Sequence, residues 1–407
     1  MPRDTPLTFS FQSPAEALAA LLSQIQPVET ESIPLDQSPG RILAQAITAD
    51  RASPAVDVSS MDGYAVRLAD LATAELPIVG EVRIGREPPV LPAGACVRIV
   101  TGGAIPAGAD AVIKREDVAE HPDRITLPRA TRIQSGQNIR RAAENLVSGA
   151  TVAFGGQQIS PVVAAALATF GVAMPTVFRR VRLAVLTTGD EVVPPHASPS
   201  PWQLRDSNAS TLRAMFQPLP FVELWHHHIP DDAGAMRAAV ESSLETSDAL
   251  LMTGGVSMGH RDYVADALEQ AGVRTMFHGL PQKPGKPVLA GIAPGRRPVL
   301  ALPGNPVSVV VTARRLAVPA IFARAGCQGS TALRASASHV VTLTNPDGVT
   351  IPLWHHRPVR LTTHGQAELL GSRSSGDVPG AANTDGFIEV PPGQQGPGPW
   401  PFYSWGP

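Results

Sequence analysis

Ala249-Leu250-Leu251-Met252-Thr253-Gly254-Gly255-Val256-Ser257-Met258-Gly259 is the stretch from which the fold can be read. The apolar run 249–252 predicts a short buried strand. The glycines after it predict a loop whose backbone can approach a ligand closely. Two other segments repeat this pattern. An apolar strand over 182–186 runs into Thr187-Thr188-Gly189-Asp190-Glu191, and one over 298–302 runs into Pro303-Gly304-Asn305-Pro306-Val307-Ser308. Helical patterns at 209–216, 233–244, 263–270 and 307–323 alternate with strand patterns at 222–229, 273–277 and 288–292. Ser207 or Asn208 is expected to cap the first of these helices, and Asp231 and Asp232 the second. Strands alternating with helices predict a mostly parallel sheet with helices on both faces, over residues 180–328.

Open α/β sheets bind ligands beyond the carboxyl ends of their strands. Three glycine loops at such ends, two of them leading into helix N-termini, form a natural cradle for phosphate. Thr188, Gly189, Asp190, Gly254, Gly255, Ser257, Gly259, Pro303, Gly304, Asn305, Pro306 and Ser308 are therefore candidate lining for a phosphate or pterin-phosphate pocket; ordinary tight turns are the alternative. Carboxylates gather nearby: Asp190, Glu191, Asp206, Asp231, Asp232 and Asp262. Carboxylates beside a phosphate site suggest Mg²⁺, which takes oxygen ligands. Helix capping accounts equally well for Asp206, Asp231 and Asp232, whereas Glu191 and Asp262 lie within or just beyond a glycine loop. Lys283-Pro284-Gly285-Lys286-Pro287 puts two cations on a stiff turn, suited to an oxyanion or a phosphate, or else simply solvated. His226, His227 and His228 alternate across a strand and do not converge on one ion. His355-His356 reads the same way.

Outside this region the pattern differs. Residues 14–24 predict a helix with Ser13 as N-cap and Pro14 at its first position; a second helix is expected near 40–46, and another at 161–170. Between 51 and 149, short β-type runs at 78–84, 97–100, 111–113 and 124–127 predict a small inserted β domain. Residues 1–50 and 150–179 then form a discontinuous helical and linker domain. Residues 329–407 return to short strands, and the Pro/Gly-rich tail PPGQQGPGPWPFYSWGP is expected to be irregular. The fold class is multidomain α/β plus β.

Composition narrows the function. The net charge is −2, which argues against a nucleic-acid coat or a polybasic membrane binder. Two distant cysteines, Cys96 and Cys327, offer neither a disulfide framework nor a CxxC metal site. No basic-then-apolar leader pattern is present, and the uncharged stretch 159–178 is interrupted by Pro161, Gly171 and Pro175. A cytoplasmic location is expected.

An ordered set of motifs then identifies a resemblance. Ser60-Met61-Asp62-Gly63-Tyr64, Arg98-Ile99-Val100-Thr101-Gly102-Gly103 and Ala107-Gly108-Ala109-Asp110 are similar to the β-domain motifs of the MoeA and gephyrin E-domain family. The three glycine loops with Asp262, the Lys283–Pro287 turn, and the late Ala382-Asn383 with Gly386-Phe387-Ile388 match in the same order. The resemblance implies an L-shaped homodimer of four-domain subunits, with residues 1–50 and 150–179 as the dimerisation domain and an α/β domain that binds molybdopterin. It implies a transferase that inserts molybdate into molybdopterin, coupled to Mg²⁺-dependent hydrolysis of adenylylated molybdopterin with release of AMP. By motif, Asp62 and Thr101 would reach across the dimer, Glu191 and Asp262 would hold metal or substrate as catalytic groups, and Lys283 and Lys286 would hold anions. A molybdopterin adenylyltransferase and molybdoenzyme apoproteins are the partners implied. Asn145 and Gly279 depart from the family pattern, and the tail is expected to lack its closing strand. A non-catalytic molybdopterin-binding scaffold and an adenylyltransferase-like enzyme are the rival readings.

Overall fold

The computed structural model of the chain describes residues 9–128, 132–255, 263–329, 336–363, 365–371 and 374–406. The chain divides into two compact units, one of residues 1–45, 154–165 and 173–407 and the other of 46–153 and 166–172.

The first unit is organised around a six-stranded sheet. Its strands are β1 (Val181–Thr188), β2 (Val222–Ile229), β3 (Ala249–Thr253), β4 (Arg274–His278), β5 (Leu289–Ala293) and β6 (Arg297–Leu302), in the order β2-β1-β3-β6-β5-β4. The four strands β2, β1, β3 and β6 run parallel, and β5 is antiparallel to both its neighbours. Helices α1 (Ser207–Phe216), α2 (Ala233–Thr246), α3 (Tyr263–Gln270) and α4 (Pro306–Arg324) cover the two faces. Strand alternation explains why. Leu183, Val185, Leu251, Leu300 and Leu302 pack with Leu212 and Phe216 of α1 and Leu316 and Ile321 of α4. Their neighbours Ala184, Leu186, Leu250, Met252, Val299 and Ala301 pack with Val240 and Leu244 of α2 and Val264 and Leu268 of α3. A strand buried on both faces needs an unbroken apolar run, which is how these three strands read.

Among the described residues, α4 is the helix long and apolar enough to cross a membrane, and it is mostly buried within the unit. Its middle, Ala313–Ala317, is a π-helical turn. Pro319 removes one donor from the helical ladder, and the backbone widens just before it.

The caps differ in part from expectation. Asp206, in its capping reading, takes the place expected for Ser207 or Asn208: it accepts from the Ala209 N–H at 2.8 Å and caps α1, while Asp232 caps α2 through the Ala235 N–H at 2.8 Å. Ser13 caps the first helix, Pro14–Leu22. The helix expected near 40–46 does not form. Ile42 and Leu43 are both fully buried, and they bridge to Gln158 and Val177 as extended chain. Two adjacent side chains buried on opposite sides fit an extended segment threaded through a core, not a helix with one apolar stripe.

The tail overturns a second expectation. Strands β7 (His339–Leu343), β8 (Trp354–Thr363), β9 (Gln366–Leu369), β10 (Gly386–Val390) and β11 (Trp400–Ser404) form a ring β8-β9-β7-β11-β10, closed by β8–β10 pairing. The segment read as irregular thus supplies the closing strand. Trp400, Phe402 and Tyr403 are buried. Pro401 pairs with Val340 of β7 but lies beyond the last β10 pair, so its missing N–H leaves little unpaired.

The second unit holds a six-stranded sheet in the order Ala111–Lys114, Gly63–Val66, Cys96–Ile99, Glu75–Glu81, Arg124–Thr126, Ala119–Glu120. Its core is formed by Tyr64, Val66, Leu76, Cys96, Ile113 and Ile125.

The barrel reading predicts the weight of its last strand. Phe402 is 2 % exposed and packs in the barrel core with Val341, Val359 and Ile388. Phe402→Ala should cost about 3 kcal/mol, measured by urea unfolding followed by tryptophan fluorescence. A cost close to zero would mean that β11 is not an integral strand.

Candidate functional site

The carboxyl ends of β1, β3 and β6 open into a pocket of about 500 Å³. Thr188, Gly189, Glu191, Gly254, Gly255, Pro303, Gly304, Asn305 and Pro306 all line it, so the three glycine loops converge. Short polar contacts fix their spacing. The Thr188 hydroxyl donates to the Thr253 carbonyl at 3.4 Å, which links the first loop to the second. The Asn208 amide donates to the Gly304 carbonyl at 2.9 Å and reaches the Thr253 hydroxyl at 3.5 Å, which links the second to the third. Gly254 is the tightest point. Its φ is +90°, and a Cβ there would lie 2.5 Å from the Thr188 hydroxyl and close on the facing loop. Ser257, Gly259 and Asp262 lie outside the described residues.

The carboxylates separate by role. Asp190 does not line the pocket. Its Oδ1 accepts from the Asp231 N–H at 3.1 Å, and Asp231 Oδ2 accepts from the Asp190 N–H at 3.4 Å, a reciprocal clasp between two loops. Asp206 is buried, with one oxygen on the Ala209 N–H and the other on the Thr187 hydroxyl at 2.9 Å. Glu191 is exposed at the pocket rim, and its carboxylate accepts no hydrogen bond among the described residues. Among those residues no group of three or more His, Cys, Asp or Glu forms a metal cage.

The lysine turn lines an adjoining pocket of about 710 Å³, which shares Pro287, Pro303 and Asn305 with the first. Gln282–Lys283 pairs in parallel with Trp354–His355 at the start of β8, so a barrel strand forms the opposite wall. Lys283, Lys286, His355 and Arg357 bring basic side chains to this space, together with Ser308, Ser374 and Ser375. Lys286 Nζ lies 5.8 Å from the Phe9 ring centroid, a cation–π contact that aims the ammonium. Arg357 donates to Asp347 at 2.8 Å. Asn305 donates to the Ser375 hydroxyl at 2.9 Å, which ties the third glycine loop to this wall.

Asp62 and Thr101 belong to the second unit. Antiparallel register sets Gly63 opposite Ile99, so the residues flanking the pair meet at the strand ends. Gly63 is required there because a Cβ would lie 1.9 Å from the Ile113 carbonyl. The Thr101 N–H and hydroxyl donate to Asp62 Oδ1 at 2.7 and 2.8 Å. These two bonds, the backbone one foremost, lower the Asp62 pKa and keep its exposed carboxylate charged. Asn145 holds Arg140 at 2.6 Å, and Gly279 adopts φ +95°. Sequence reasoning missed Asn208, His355, Arg357 and Ser375. The Asn208 position, two residues after a capping aspartate, is the available signal; His355 and Arg357 depend on register between distant strands, and Ser375 on a turn that meets Asn305.

His355 gives a pH dependence. Burial, then the nearby Arg357 and Lys283 charges, push its imidazole from 6.5 down to about 4. The unfolded chain therefore binds more protons between those values, so stability is full above pH 6.5 and falls as pH drops toward 4. Thermal midpoints measured from pH 7 to pH 4 should fall less steeply for His355→Gln than for the wild type. Equal slopes would place the acid sensitivity elsewhere.

Comparison with known proteins agrees with this geometry. Residues 12–171 match the MoeA N-terminal region (domain I and II), and residues 184–323 match a probable molybdopterin binding domain. The chain is 33% identical over 399 residues to the molybdopterin molybdenumtransferase of Synechococcus elongatus, covering 95% of this chain and 96% of that one. It is 33% identical over 383 residues to the Bacillus subtilis molybdopterin molybdenumtransferase, covering 90% and 87%. A solved molybdopterin biosynthesis MoeA protein from Pyrococcus horikoshii superposes with a TM-score of 0.79 at 26% identity, covering 96% of this chain and 98% of that one. On these matches, which run through both units and every motif loop among the described residues, the chain belongs to the molybdopterin molybdenumtransferase family.

Proposed function

We propose that this transferase of molybdenum-cofactor biosynthesis inserts molybdate into molybdopterin supplied in adenylylated form, cleaving the phosphoanhydride and releasing AMP. The observation that carries this reading is the shared wall of the two pockets. One is built from glycine loops and helix ends, suited to phosphate; the other collects Lys283 and Lys286, suited to an oxyanion, with Arg357 paired to Asp347 on its wall. A strongly anionic substrate next to a second anion needs this division.

Within the first pocket the loop N–H groups orient the phosphates; Glu191, whose carboxylate accepts no hydrogen bond among the described residues, would hold Mg²⁺ together with Asp262. One or two carboxylates plus substrate phosphate and water suffice for that ion, so the residues fit it without an all-protein cage. Mg²⁺ there would neutralise charge developing on the phosphoanhydride. Lys283 and Lys286 bind and orient an oxyanion or phosphate. Asp62 and Thr101, in the separate unit, act in a homodimer on the partner's pocket. The free buried thiols of Cys96 and Cys327 suit a reducing cytoplasm. Adenylylated substrate implies handover from a molybdopterin adenylyltransferase, and the product implies delivery to molybdoenzyme apoproteins.

The test is incubation with adenylylated molybdopterin, Mg²⁺ and molybdate, measuring released AMP and active cofactor. Lys283→Ala and Lys286→Ala should each weaken binding of molybdate or molybdopterin about tenfold, the value of one charge-assisted hydrogen bond. Unchanged affinity for both ligands in both variants would return the turn to a solvated role.

Subunit mixing tests the dimer. Asp62→Ala and Glu191→Ala chains, each inactive alone, should recover activity at one of two sites when mixed. Absence of recovery despite demonstrated subunit exchange would rule out a shared site.

A further inference from the structure

The histidines of β2 take no part in the function above, yet two of them converge on a single hydroxyl. Thr187, the last residue before the first glycine loop but one, lies 2.9 Å from Asp206 Oδ2, 2.9 Å from His226 Nε2 and 3.1 Å from His228 Nδ1. Parallel register sets Thr187 beside His228. Strand alternation then puts His226 on the same face as His228, with His227 on the other. Thr187 and Asp206 are both buried, and both line the glycine-loop pocket.

Counting protons fixes the arrangement. A hydroxyl has one proton to give and two lone pairs to receive. Asp206 is a carboxylate, an acceptor only, so the Thr187 proton goes to Oδ2, while Oδ1 takes the Ala209 N–H. Both imidazoles must then donate to Thr187, His226 through Nε2–H and His228 through Nδ1–H. Burial lowers the His226 pKa, so near neutral pH its ring is uncharged and carries one N–H. No lysine or arginine pairs with Asp206 among the described residues. A carboxylate free to swing into a pocket built for anions would repel them.

We propose that His226 and His228 are positioning residues for the anion pocket: by donating to Thr187 they keep its proton on Asp206 and hold that carboxylate turned toward the start of α1. The inference rests on reading the glycine-loop pocket as an anion site. An adjoining cavity of about 370 Å³ is lined by His226 and His228 with Arg213 and His196.

The full-length protein is titrated calorimetrically with inorganic pyrophosphate. Replacing both donors (His226→Leu with His228→Leu) should weaken binding about tenfold, the scale of a lost neutral hydrogen bond. A second pair (His226→Gln with His228→Asn) puts an amide N–H where each ring N–H was, and should restore affinity to within roughly twofold. A merely structural role would not distinguish donor from non-donor in this way. Thr187→Val, nearly the same shape without the hydroxyl, should match the leucine pair, and it stands as the test if that pair does not fold. Wild-type affinity in Thr187→Val or in the leucine pair overturns the proposal. So does a Gln/Asn pair as weak as the leucine pair. A wild-type protein that does not bind pyrophosphate removes the anion-site reading itself, and this inference with it.

Discussion

Strands β1, β3 and β6 are buried on both faces, and this constraint decides where chemistry can occur. Nothing polar can project from the middle of such strands without being cut off from water, so polar groups collect at their carboxyl ends. There the chain must turn at once, and three strands ending side by side bring three turns together. Thr188 to Thr253 and Asn208 to Gly304 then set the loop spacing with single hydrogen bonds. The cradle follows from the sheet, since loops without these strands beneath them would have no reason to meet.

Much of this was readable from the residues. Apolar runs of four or five followed by glycine marked the parallel strands, because a strand covered on both sides has no polar alternation to disguise it. The convergence of Thr188, Gly189, Gly254, Gly255 and Gly304 follows from that topology. Asn208 is harder to see: the pattern offers Ser207 or Asn208 as the cap, but Asp206 performs that role, and the Asn208 amide bridges two loops instead. His355 and Arg357 were illegible as pocket residues because their position depends on Lys283 pairing with His355 across about seventy residues of chain. Composition misled at the tail. Proline and glycine usually mark irregular chain, but Pro401 occupies a place in β11 where a donor is not needed on both sides.

Helix α4 joins the sheet to the barrel. Arg314 donates to the carbonyls of Ser404 and Ser336 at 3.0 Å each, and Arg315 pairs with the buried Glu389 at 2.7 Å. His356 approaches the same carboxylate at 3.1 Å. Burial works against the Glu389 charge, but His356 and Arg315 outweigh it and hold the carboxyl down to about 2. Burial also pushes Arg314 down to about 10. Ion pairs of this kind add little net stability compared with apolar packing, but breaking one partner leaves a stranded charge. Their effect is to fix one docking of barrel on helix, and with it the wall that faces the lysine turn.

The position of β11 in the chain has a consequence for synthesis. A ribosome makes the parallel sheet and its glycine loops well before residues 400–404 emerge, and the ring β8-β9-β7-β11-β10 cannot shut without them. Until then β7 and β10 each keep an open edge, the kind of surface that invites pairing with another chain. The residues of the glycine-loop pocket are thus synthesised before the strand that closes the barrel beside the neighbouring pocket.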